Sequence, residues 1–75
     1  MKWSDEKTYN EIYDAIVFDD DEQKALELLK KAIAENTVNV NQTDKEGNPL
    51  IQHAEMNCMD EVCSFLIEHG AVNEQ

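Results

Sequence analysis

The chain has 75 residues, among them seventeen Asp and Glu against six basic residues, all Lys, for a formal charge of −11. Nucleic acids are held by Lys and Arg that neutralise phosphates, and membrane surfaces by basic amphipathic faces, so both ligand classes are disfavoured. No apolar run approaches the roughly 20 residues that a membrane-spanning helix needs.

Such a charge draws in a basic partner, although acid-rich surfaces also simply keep small proteins soluble. One domain of this size buries only roughly 60% of the surface its unfolded form exposes. The core is therefore thin, and a net stability of about 3–5 kcal/mol is expected. Two cysteines, Cys58 and Cys63, are too few for a disulfide framework, and no charged-then-apolar leader opens the chain. A cytoplasmic location is the expectation.

Ser4 is the first candidate helix cap, with Asp5 and Glu6 in the opening turn where carboxylates suit the helix dipole. Tyr9, Ile12, Tyr13, Ile16 and Val17 recur at the spacing of one helical face, which predicts a helix over 5–18. Asp19, Asp20, Asp21 and Glu22 open a second, over 21–35, whose stripe is Ala25, Leu28, Leu29, Ala32 and Ile33; Lys30 and Lys31 lie toward its C-terminal end and Asn36 stops it. The segment 37–48 is polar and rich in turn residues, a loop or extended hairpin. Gly47 supplies a turn there, Asn48 caps a third helix over 49–57, and Pro49 takes its first position, where a missing N–H costs nothing. The pattern breaks near Asn57 and Cys58. Asp60 opens a fourth helix that turns Val62, Phe65, Leu66 and Cys63 inward and ends at Gly70. The fold class is all-α, two antiparallel helix pairs with one polar loop between them.

Val40-Asn41 recurs as Val72-Asn73, each dipeptide following a helix rich in Leu or Ile, which points to two copies of one unit. Val40, Asn41, Asp44, Gly47, Pro49 and Leu50, then Ala54, then Val62, Leu66, Ile67, Gly70 and Ala71, arrive in the order of the ankyrin repeat, which the stretch 38–75 resembles. The resemblance implies a mini-solenoid of two stacked helix pairs with a β-turn loop between them. Residues 1–37 then form a degenerate N-terminal capping unit, which Trp3 flanks, and 38–75 the repeat proper. The family's Thr-Pro-Leu-His element appears as Asn48-Pro49-Leu50-Ile51, or shifted by one as Pro49-Leu50-Ile51-Gln52, with no His at its place. His53 nearby reads as an ordinary, partly buried helix residue, and Cys58 stands where the family usually has Gly. Two units are fewer than the roughly three that stack a stable core, so an apolar strip is expected on the C-terminal side, covered by homodimerisation or by a partner.

Chemistry is not legible. Cys58, Cys63, His53 and His69 match no zinc spacing, and residues 19–22 lack the alternating ligands and glycine of a calcium loop. There is no glycine-rich phosphate loop and no nucleophile grouping, so neither enzymatic activity nor a cofactor or metal is expected. The resemblance implies protein recognition through the loop tip, Thr43, Lys45, Glu46 and Asn48, and through Gln52, Glu55 and Met56 beside it. Together with the acids Asp19, Asp20, Asp21 and Glu22, these make the candidate partner-binding set. The expected function is a small acidic inhibitor that blocks a basic, nucleic-acid-handling protein, in the manner of phage anti-defence, anti-CRISPR-type or toxin-immunity proteins; the alternative is an oligomerising adaptor.

Overall fold

The computed structural model describes residues 5–71, and everything stated below concerns those residues. They form four helices, α1 (Glu6–Val17), α2 (Glu22–Glu35), α3 (Leu50–Met56) and α4 (Asp60–Glu68), with no strand; a single antiparallel bridge joins Thr43 to Pro49. α1 packs on α2 and α3 on α4, and the two pairs meet through α1 against α3 and α2 against α4. The apolar stripes read from sequence point into this shared seam: Ile12, Ile16, Leu29, Leu50, Ile51, Val62 and Leu66 are fully buried at its centre. Val17, Leu28, Ile33 and Phe65 pack at its edges.

Helix starts follow local chemistry. Asp5 caps α1 by accepting from the Thr8 backbone N–H and the Thr8 hydroxyl, both at 3.1 Å. Ser4, the expected cap, lies outside the described residues, as do Trp3 and the Val72-Asn73 dipeptide. Asp21 caps α2 through the Lys24 N–H at 3.1 Å. At α3 the expectation of an Asn48 cap with Pro49 as the first helical residue is corrected. Pro49 itself is the cap position, extended at φ −75° and ψ 165°, and Leu50 is the first helical residue. Asn48 belongs to the preceding turn: its N–H donates to the Asp44 carboxylate at 2.9 Å, and its carbonyl, which a cap residue would offer to the first helical N–H, accepts from the Asp44 N–H at 3.0 Å.

Past the end of every helix the chain passes through a left-handed residue. These are Asp20 (φ 49°) after α1, Asn36 (φ 58°) after α2, Cys58 (φ 57°) after α3 and Gly70 (φ 99°) after α4. The turn lets the last carbonyls find donors: Thr37 N–H reaches Ala32, Met59 N–H reaches Ala54 and Ala71 N–H reaches Leu66, each at 2.9 Å. Only one of the four is glycine, so three non-glycine residues carry a conformation that costs an L-residue about 1–2 kcal/mol.

Candidate functional site

The four acids of the 19–22 run sit between α1 and α2, and three of them have structural employment. Asp19 pairs with Lys24 at 3.1 Å across an exposed surface, a contact that raises the lysine's pKa through the hydrogen bond and the charge of Asp19. Asp21 is the α2 cap. Glu22 reaches across to α4, whose own cap residue Met59 offers no side-chain bond, and its Oε2 accepts from the N–H groups of Glu61 at 2.8 Å and Val62 at 3.4 Å. The first turn of one helix thus supplies the missing cap of another. Asp20 alone keeps an exposed carboxylate with no partner among the described residues.

The loop over 42–48 is organised by Asp44. Its Oδ1 accepts from the N–H groups of Glu46 and Asn48, each at 2.9 Å, an Asx turn that Gly47 (φ 85°) completes by donating to the Asp44 carbonyl at 3.0 Å. His53, expected to be a plain helix residue, is a bonding one: its Nε2–H donates to Asp44 Oδ2 at 2.8 Å, with both side chains largely buried. Burial pushes the Asp44 carboxyl up, but the bonds from Asn48, His53 and Glu46 and the charge of His53 together outweigh it and hold the pKa below its ordinary value. The bond ties α3 to the loop before it.

Tyr13 lies edge-on to the His53 ring at 5.2 Å and stacks on Tyr9 at 6.1 Å. The two tyrosine rings form one side of a groove of about 850 Å³ whose other side is the loop; it is lined by Glu6, Tyr9, Asn10 and Tyr13 from α1 and by residues 42–46. Tyr9 is only 7% exposed, and its hydroxyl is buried with no hydrogen-bond partner. Burial, then the charges of Asp44 and Tyr13, push its pKa up to about 12.

The structure therefore divides the expected set. Thr43, Lys45 and Glu46 come together on the groove; Asn48 holds the turn; exposed Gln52 and Met56 and half-buried Glu55 lie on α3 and do not line it. Glu6, Tyr9, Asn10 and Tyr13 were missed because the tyrosines fit the apolar stripe of α1. The available signal was that the stripe spends two tyrosines one turn apart, each with a hydroxyl needing a partner, where Ile or Leu would fill the seam.

Elsewhere among the described residues, no three His, Cys, Asp or Glu side chains converge in a metal-holding geometry, and no helix is long and apolar enough to cross a membrane. Cys58 is exposed; Cys63 is half-buried, and burial followed by the charges of Glu55, Asp60 and Glu22 pushes its thiol pKa up. Comparison with protein-family models, curated proteins and solved structures gives no match.

Proposed function

We propose that the chain is a non-enzymatic protein-binding module, an ankyrin-like stack of two antiparallel helix pairs that docks on a basic, nucleic-acid-handling protein and blocks it, as an anti-defence or immunity protein does in the cytoplasm of the producing or host cell. The observation that carries the reading is the charge of −11 with no arginine, because such a surface competes for the Lys and Arg that would otherwise hold phosphate. The pairing of α1 with α3 and of α2 with α4 supports the two-unit reading, as does the left-handed residue after each helix. Docking is assigned to the groove edge at Thr43, Lys45 and Glu46, with Asp20 the one unengaged acid of the 19–22 run.

Capture from the native cell followed by a salt series tests this. A basic partner whose affinity falls by about tenfold or more as salt rises through a few hundred millimolar, and falls further for Glu46→Lys, upholds it. Capture only of acidic partners, or an affinity indifferent to salt, ends it.

The exposure of Met56 (62%) and Ile67 (49%) on α3 and α4 favours a second reading, an oligomerising adaptor whose acids only solvate. Light scattering decides it: a strict monomer at millimolar concentration removes that reading.

A further inference from the structure

A buried hydroxyl without a partner costs about 1–3 kcal/mol, and phenylalanine would fill the same space at no such cost. Tyr9 carries that cost at the wall of the groove, facing the loop whose Asp44 charge acts on its hydroxyl. The lips of the groove supply the second half of a recognition site. Glu6, in the first turn of α1, and Glu46, in the loop, are both exposed, and neither carboxylate has a partner among the described residues. Asp44 adds a third negative charge, while the sole cation on the lining, Lys45, is on the exposed loop. An anion is repelled from this arrangement, and a metal ion finds no converging ligand set.

We propose that the groove receives the guanidinium of an arginine presented by the partner protein. Tyr9 Oη, closed to solvent in the empty groove, is uncovered by a shift of the side chains over it and accepts one of the guanidinium N–H groups, the Tyr9 and Tyr13 rings pack along its plane, and the Glu6 and Glu46 carboxylates balance its charge. Arginine suits the site better than lysine because a planar fork of N–H donors can bond in its own plane while its faces lie on aromatic rings. The phenol remains protonated at neutral pH and can accept without adding a charge that would need its own neutralisation. The inference rests on the reading of the chain as a binder of basic partners and names the group that reading lacked.

The test is an NMR titration of the full chain at low salt with N-acetylarginine amide, with N-acetylcitrulline amide as the uncharged counterpart of the same shape. Saturable shifts of the amides over 6–13 and 42–46 are expected with the arginine compound alone. Tyr9→Phe should weaken that binding by about tenfold to a hundredfold, the worth of one hydrogen bond to a charged donor, while leaving thermal stability equal or higher. Glu6→Gln with Glu46→Gln should weaken it without altering the fold. Equal shifts with citrulline, no shifts with arginine, or undiminished binding by Tyr9→Phe overturns the proposal. A polyarginine peptide separates the two readings. If it still binds in a salt-dependent manner after such a failure, only the groove assignment falls; if it does not bind at all, the broader reading falls too.

Discussion

Two acidic regions that look equivalent in the sequence differ in what their charges are for. The 19–22 run holds four consecutive acids, yet Asp19 is paired with Lys24, Asp21 caps α2 and Glu22 caps α4. Around the groove the acids are fewer and scattered through the chain, but the Glu6 and Glu46 carboxylates have no partner among the described residues, and they flank a buried hydroxyl that has no hydrogen-bond partner. Acids at a helix start face four N–H groups that lack intrahelical partners, so their charge is consumed locally. Charge density along a sequence therefore overstates the charge on offer to a partner.

Asp44→Ala is the sharpest probe of the groove side. It strips acceptors from Glu46, Asn48 and His53 at once, so a loss of about 3 kcal/mol or more is expected in chemical denaturation, most of what a chain of this size possesses. The pH dependence follows from its lowered pKa. The native state favours the ionised carboxylate, so this stabilisation is complete above the ordinary carboxyl range near 4 and is lost as pH falls through the depressed native value. The stability difference between wild type and Asp44→Ala should accordingly shrink in acid; a difference that widens would contradict the bonding scheme.

On the other side, Glu22→Ala removes the borrowed cap of α4 and should cost about 1–2 kcal/mol, while Glu22→Gln, which keeps an acceptor oxygen, costs less. Asp21→Ala should cost about 1 kcal/mol through its own helix. Asp19→Ala, which breaks only an exposed ion pair, should leave the melting temperature nearly unchanged. A melting series in which these three behaved alike would erase the distinction between capping acids and decorative ones.

One further effect carries the opposite sign. Cys58→Gly relieves a left-handed residue and should stabilise by about 0.5–1 kcal/mol, after allowance for the greater freedom of glycine in the unfolded chain. Cys58→Ala keeps the strain and should not. Since Cys58 is exposed, packing losses do not confuse the comparison.

Much of the fold is legible in the sequence. The spacing of Tyr9, Ile12 and Ile16, and of Ala25, Leu29 and Ala32, placed two helices within a residue or two of their ends, because one apolar face per helix leaves a 3.6-residue signature. Asn36 and Gly70 marked stops because their residue types tolerate positive φ. The start of α3 falls one residue later than the sequence suggests because the Asn48 carbonyl accepts from the Asp44 N–H across the turn, leaving the Pro49 carbonyl to take the first helical bond from Gln52, a competition that propensity does not register. Of the groove lining, Thr43, Lys45 and Glu46 are named from the sequence as the loop tip the resemblance implies, whereas Tyr9 and Tyr13 read only as members of the apolar stripe.

By itself, then, the sequence determined the helical class, the apolar faces and the excess of negative charge, all of which are local or additive quantities. Tertiary structure decided which charges are spent and which are on offer. Glu22 meets Glu61 and Val62, and His53 meets Asp44, only when α2 lies on α4 and the loop folds against α3. Hydrogen bonds act over about 3 Å, so partners distant in the chain become partners only through packing.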